Sequence, residues 1–354
     1  MSATSAIEWT DATWNPVRGC TRISAGCGGP NRQGGCYAEQ IAARFSGPGQ
    51  PFAGFAERTS QGGRWTGRMA LVDEALTLPL RWKKPRRIFV NSMSDLFHEN
   101  LPDEAIDKVF AVMALAPRHT FQVLTKRAKR MREYFAAPNR EGILNGSIWS
   151  LLGTPRGSKI KHGGKWRAAL PLPNVWLGVS TEDQATADER IPHLLAAPAA
   201  KRFISAEPML GGINLKRIQV AGHGWQDVLE GWRDCEDYPG REERLDWVIA
   251  GGESGPRARP AHPDWFRALR DQCAAAGVPY FFKQWGEWAP GSLFPAASDG
   301  LLADCRYGEF HRGDDQWVDD CLCSEGAHGA QMFRVGKKAA GAMLDGRMHR
   351  EFPT

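Results

Sequence analysis

Three cysteines stand close together near the start of the chain: Cys20, Cys27 after six intervening residues, and Cys36 after eight more. Glycines crowd them at Gly19, Gly26, Gly28, Gly29, Gly34 and Gly35. A glycine-rich segment folds back on itself readily, so three thiolates can converge. Three thiolates on one metal centre leave a coordination position open, as catalytic metal sites do and structural ones do not. Three readings stand side by side. In one, the cysteines hold a structural zinc with a fourth ligand such as His98 or a later cysteine, although no two cysteines have the close spacing common at such sites. In another they are unmetallated, merely buried thiols, a poor match to a polar glycine-rich loop. In the third they ligate three irons of a [4Fe–4S] cluster. The fourth iron is then free for the amino and carboxylate groups of S-adenosylmethionine, and an electron from the cluster cleaves that cofactor to a 5′-deoxyadenosyl radical.

Such a loop needs elements to hold it. Residues 8–17 form a short aromatic and β-branched stretch that can be a first strand, and 37–45 read as a helix with Ile41 and Phe45 on one face. Residues 46–67 read as a long irregular loop. From Arg87 a rhythm begins. Strands are expected at 87–91, 120–124, 175–179, 202–205, 246–250 and 279–283. Helices are expected at 102–116, with Asn100 as N-cap, then to about 135, to about 197, and at 263–276. Alternating short apolar strands and amphipathic helices make βα units and a parallel sheet.

The fold class is therefore α/β, a TIM-like partial or full parallel (βα) barrel. Strand after strand ends in polar residues: Asn91, Ser94 and Asp95; Lys126; Ser180 and Glu182; Ser205 and Glu207; Glu253 and Ser254; Lys283 and Gln284. In a barrel these ends share one mouth. The barrel spans residues 1–290, with insertions near 136–173 and 212–243. Residues 291–354 lack the rhythm and read as a C-terminal appendage packing on the barrel.

The 354 residues are 42% apolar and 24% charged, ordinary for a globular protein. No run of eighteen apolar residues predicts a membrane span, and residues 1–11 do not read as a signal peptide. The expectation is a cytoplasmic protein with reduced cysteines, in which metal binding is favoured over disulfides. Net charge is +5. Basic residues cluster at 81–87, at Lys126, Arg127, Lys129, Arg130 and Arg132, and at Arg156, Lys159, Lys161, Lys165 and Arg167. Such clusters either contact phosphates or form a solvated face.

Several segments together resemble a known family. They are Ile7-Glu8-Trp9-Thr10-Asp11, Trp14-Asn15-Pro16, Gly19-Cys20, Gly26-Cys27, Cys36-Tyr37-Ala38-Glu39, Asn91 to Phe97, Leu124 to Arg127, Trp176 to Ser180, Ser205 to Pro208, Gly251 to Gly255 and Phe282 to Gly286. They resemble the phage Gp37/Gp68 family of three-cysteine-motif proteins over about residues 7–290, with a shorter match at 332–353. That family is similar to radical-SAM enzymes, and the Cys-Tyr ending is similar to spore photoproduct lyase.

The resemblance implies a radical-SAM-type barrel, a [4Fe–4S] cluster on Cys20, Cys27 and Cys36, S-adenosylmethionine in the mouth and an electron donor for the cluster. Tyr37 is expected to place its backbone near the adenine. Ser180, Glu182, Ser205 and Glu207 are expected at the ribose and methionine, because strand-end hydroxyls and carboxylates suit hydroxyls and an ammonium. Asp95, Lys126, Glu253 and Lys283 are expected in substrate binding or proton transfer. The basic clusters and the resemblance favour a nucleic-acid substrate, whose base must be unstacked to reach a buried radical. The alternatives are a non-enzymatic nucleic-acid-binding protein with a three-cysteine zinc site and, last, a metal-dependent hydrolase.

Overall fold

The computed structural model describes residues 5–29, 34–153, 167–222, 224–233, 243–294, 306–310, 317–319 and 330–354. Seven parallel strands form its centre: β1 (Ala12–Trp14), β2 (Arg87–Val90), β3 (Thr120–Thr125), β4 (Val175–Ser180), β5 (Lys201–Ala206), β6 (Trp247–Gly251) and β7 (Tyr280–Gln284). They lie side by side in chain order, with registers such as Trp14↔Val90, Val123↔Leu177 and Ile249↔Phe281. Sequential parallel strands curl the sheet into a half-barrel, and among the described residues β1 and β7 do not pair. The expectation of a parallel βα sheet is met as a partial barrel, without closure into a full one.

The longer helices are α1 (Tyr37–Arg44), α2 (Asp103–Leu115), α3 (Ala128–Ala136), α4 (Arg140–Leu151), α5 (Gln184–Leu195) and α6 (Pro263–Ala276). α2 packs on α4, and α3 on α5. Both faces of the sheet are apolar, as a covered parallel sheet requires. Ile88, Val90, Phe121, Val123, Leu177, Val179, Ile204, Val248 and Phe282 point outward into the main core with the helices. The alternate positions point into the curl, where Phe89, Phe203, Trp247, Ile249 and Phe281 join Trp9 in a second core. Gly178 on β4 makes room for this filling, because a Cβ there would stand 2.5 Å from the Phe203 ring.

Several local readings change. Residues 46–67 hold a hairpin, Ala56–Thr59 with Gly62–Trp65, packed on α1. The segment 136–173 contains α4, whose Leu144 and Ile148 are buried, so its Gly and Pro content concealed a helix. The segment 212–243 carries a small antiparallel sheet of Ile218–Val220, Gly224–Asp227 and Trp232–Arg233. Pro102, not Asn100, occupies the N-cap position of α2, and the Asn100 amide instead donates to the Gly67 carbonyl at 3.1 Å.

Beyond β7, Trp288–Pro290, Tyr307–Phe310, Trp317–Asp319 and Gln331–Arg334 form a four-stranded antiparallel sheet. The chain then returns to the half-barrel. Arg350 bridges to Phe281, the Phe282 amide donates to the His349 carbonyl at 3.0 Å, and the Trp247 indole donates to the Glu351 carbonyl at 2.9 Å. Phe352 packs against Trp247 and Phe281, and Arg87 of β2 lies 4.0 Å over its ring. This last strap runs along the free edge of β7 and reaches the side of the curl where β2 begins. No helix among the described residues is long and apolar enough to cross a membrane.

Candidate active site

The cysteine loop lies at the C-terminal ends of the strands. Val17–Arg18 pairs with Ala70–Leu71, and Gly19 bridges to Ser94 just beyond β2. Gly19 has a φ of 95°, and a Cβ there would run into the Arg68 carbonyl, so the close approach needs glycine. A short turn, Ala25–Cys27, presents Cys27, and the Cys36 amide donates to the Cys27 carbonyl at 3.3 Å. Cys36 stands at the N-terminus of α1. Burial pushes its thiol up, opposed by the Glu39 and Ala38 amides at the helix start. Burial, with Asp95 nearby, pushes the Cys20 thiol up to about 12. A metal binding here would displace those protons. Among the described residues, no three His, Cys, Asp or Glu side chains gather tightly enough for a single metal ion. The three thiols line one cavity of about 540 Å³.

Strand-end residues tie this loop down from four sides. Asp95, after β2, accepts from Phe97 N at 3.0 Å, Thr125 Oγ1 at 2.7 Å, Lys126 N at 3.2 Å and Arg127 Nη1 at 3.1 Å. Arg127 in turn holds Glu99 and donates through Nη2 to the Thr21 hydroxyl at 2.8 Å, next to Cys20. His98 engages the same hydroxyl through Nε2 at 2.8 Å, and its Nδ1 accepts from Asn100 N at 3.0 Å. Burial and the Arg127 charge lower the His98 pKa, which favours the neutral ring. Glu182, after β4, accepts from Ser24 Oγ at 2.9 Å, pairs with Lys126 Nζ at 2.9 Å and accepts from Arg190 at 3.2 Å. Burial works against the Glu182 charge, but Lys126 and Arg190 outweigh it and hold the carboxyl below its usual range. Glu253, after β6, accepts from Gly35 N at 3.3 Å and from Arg259 Nε and Nη2, both at 2.8 Å. The Arg259 Nη2 also donates to the Ala25 carbonyl at 2.9 Å.

With the site in view, the comparisons with known proteins add one finding. Residues 4–353 match the profile of a family described as a protein of unknown function, DUF5131. The chain belongs to that family. No curated protein and no solved structure matches it.

In this DUF5131 chain, eleven of the twelve residues singled out from sequence line the cavity: Cys20, Cys27, Cys36, Tyr37, Asp95, Lys126, Ser180, Ser205, Glu207, Glu253 and Lys283. Glu182 does not. It is fully buried behind the wall and holds Lys126 and the loop serine, so its expected contact with a cofactor gives way to a positioning role. Asp95 and Glu253 line the wall, but their oxygens already accept several donors. Both hold the loop while they line the cavity. Lys126 and Lys283 remain as cations at the cavity, the latter 2.9 Å from Glu207, which also accepts from Ser205 Oγ at 3.1 Å. The Tyr37 hydroxyl donates to the Ser92 carbonyl at 2.7 Å, which pins a ring that is 53% exposed.

Three further wall residues were not among the twelve singled out as site residues. Trp9, Asn91 and Gln284 also line the cavity, and their Nε1, Nδ2 and Oε1 atoms are buried without a hydrogen-bond partner. Buried polar atoms rarely stay unpaired, which sets these three apart from the rest of the wall. Asn91 and Gln284 were visible as strand-end polar residues. Trp9 lies before β1 and carried only an aromatic signal.

The basic clusters are placed differently from one another. Residues 81–87 precede β2, at the opposite end of the sheet from the cavity, and Arg87 pairs with Asp11 at 3.1 Å. Arg127 and Arg130 are taken up by Asp95, Glu99 and Asp103. Arg156, Lys159, Lys161 and Lys165 lie outside the described residues, as do Cys235, Cys305, Cys321 and Cys323. Cys273 is buried in α6.

Proposed function

We propose that this DUF5131 protein is a radical-SAM-like iron–sulfur enzyme that acts on a nucleic acid. One observation carries the reading: the three thiols of the loop and the polar ends of the strands line a single cavity. The donor set fits the group. Cys20, Cys27 and Cys36 would hold three irons of a [4Fe–4S] cluster. His98, the alternative fourth ligand for a zinc, has both ring nitrogens engaged in the network around Thr21. That leaves three thiolates and an open position. Glu207 with Ser205 and Ser180, and the cations Lys126 and Lys283, suit the ammonium, hydroxyls and carboxylate of S-adenosylmethionine.

When bound, the cluster would supply the electron that cleaves S-adenosylmethionine to a radical. The chain's own residues do the rest. The anchors at Thr21, Ser24, Ala25 and Gly35 hold the cysteine loop over the cavity. Glu182 holds Lys126 with its ammonium at the wall, and Glu207 does the same for Lys283. Trp9, Phe89 and Trp65 give the cavity aromatic walls that limit water.

The test is the iron, sulfide and zinc content of anaerobically purified protein beside Cys27→Ala. About four irons per chain, lost in the variant, are expected, followed by cleavage of S-adenosylmethionine under reduction. About one zinc and no iron after anaerobic reconstitution refutes the reading and brings forward the non-enzymatic nucleic-acid-binding alternative.

A further inference from the structure

Residues 18–68, the segment that carries the cysteine loop, α1 and the hairpin, contain seven arginines, no lysine, and only Glu39 and Glu57 as acids. That imbalance equals the chain's entire net charge of +5. Arg32 lies outside the described residues. Among the described ones, Arg44, Arg58, Arg64 and Arg68 are exposed and pair with no carboxylate. Glu39 is no counterweight, since Arg22 neutralises it through Nε at 2.9 Å and Nη2.

A second groove of about 420 Å³ has Arg22, Arg64 and Arg257 in its wall, with Glu39 the one acid among its lining residues. Thr21 and Trp65 line both the groove and the cavity, so the two adjoin beside Cys20. Arg257 is steadied by a bond from Nη1 to the Gln61 carbonyl at 3.1 Å. The exposed, pinned Tyr37 ring stands at the cavity mouth.

We infer that the arginine groove binds the phosphate backbone of a polynucleotide strand and delivers one of its bases to the cavity. Arginine forks match phosphate oxygens in pairs, which an all-arginine surface exploits and a lysine surface does not. A strand running along the groove has an aromatic ring to stack on at the mouth, and stacking accepts any base. The extruded base leaves its backbone outside, as enzymes acting on bases require. An acidic protein would match the charge as well, and competition by polyglutamate separates the two. The inference also moves the phosphate contacts from the basic run at 81–87, at the other end of the sheet, to the rim of the site.

The inference rests on the reading above for the cavity being the reaction chamber, and binding is measured independently of it. The experiment follows the anisotropy of fluorescein-labelled single-stranded DNA and RNA oligonucleotides across a salt series. Wild type is compared with Arg64→Gln/Arg257→Gln, Arg64→Lys/Arg257→Lys and, as the distant control, Lys83→Gln/Lys84→Gln. Each lost phosphate contact lowers the slope of log K against log salt by about 0.7 for single strands, so the glutamine pair should lose about 1.4 and bind about tenfold more weakly. The lysine pair should keep the slope with weaker binding, and the distant pair should match wild type.

Equal binding by the groove variant, equal loss in the distant pair, or competition by polyglutamate as effective as by oligonucleotide overturns the inference. Iron content and S-adenosylmethionine cleavage are read on the same preparations. Strand binding through the groove by iron-free protein would sink the enzymatic reading and leave the groove standing. Iron-loaded, cofactor-cleaving protein that ignores oligonucleotides would do the reverse.

Discussion

Replacing Glu253 separates an anchor from a catalyst. Its carboxylate is 6% exposed and takes bonds from the Gly35 amide, the Arg259 amide and two guanidinium nitrogens of Arg259. Glu253→Ala strands the Arg259 guanidinium, whose side chain is 16% exposed, and frees the loop amide next to Cys36. Breaking a buried pair from one side costs about 3–5 kcal/mol. Partial exposure of Arg259 brings this to roughly 2–4 kcal/mol, by the screening that weakens exposed pairs. In a chain of this length, each kcal/mol lowers Tm by about 1–2 °C, so a fall of roughly 3–6 °C is expected. The loop also loses its tie at Gly35, so iron content should fall with stability. The assays are thermal unfolding by circular dichroism and iron per chain after anaerobic reconstitution. A Glu253→Ala protein with wild-type Tm and full iron that no longer turns over would refute the anchor argument and restore the role in chemistry that the sequence suggested.

Three further outcomes test the rest of the scaffold. Arg127→Met leaves Asp95 buried without its cation and releases Thr21, which should cost about 3–5 kcal/mol in urea unfolding, and a change under 1 kcal/mol would contradict the network. Gly178→Ala drives a methyl into the Phe203 ring and should destabilise by about 1–3 kcal/mol through overpacking, read as a lower urea midpoint at unchanged m-value. Asp345, joined to Arg267 and Arg270 of α6, has its carboxyl held down to about 2, chiefly by the Arg267 hydrogen bond. Its folded value lies below the unfolded one of about 3.9, so its contribution is present above pH 4 and lost as pH falls toward 2. Asp345→Asn should flatten stability against pH in that window, and an unchanged profile would count against the pairing.

Much of the scaffold was legible because the strands obey simple chemistry. Val90, Val123, Val179 and Val248 sit in short apolar runs bounded by polar strand ends, and parallel pairing follows from the helices between them. The cysteine loop was legible from glycine and thiol spacing, and nearly all the strand-end residues do line one cavity. Their roles were not legible. Whether Asp95 or Glu253 meets a ligand or a loop depends on Arg127 and Arg259 arriving from elsewhere in the chain, which no local pattern records. α4 was hidden because Gly142 and Gly146 weaken its helical signal, while burial of Leu144 and Ile148 against α2 supplies what propensity lacks. Trp9 looked like one more core aromatic, and only the folded cavity shows it as part of the wall.

The strap at His349–Phe352 bears on how the protein is made. The filling of the curl unites Trp9, Arg87, Trp247 and Phe281 with Phe352, so the last turn of assembly joins segments far apart in the chain. Contacts of such long separation are slow to form. Until those final residues dock, the edge of β7 and the rings of Trp247 and Phe281 stay uncovered, a sticky surface on a chain that is otherwise folded. The half-barrel is thus finished by a four-residue strap that docks late, in place of a closing strand.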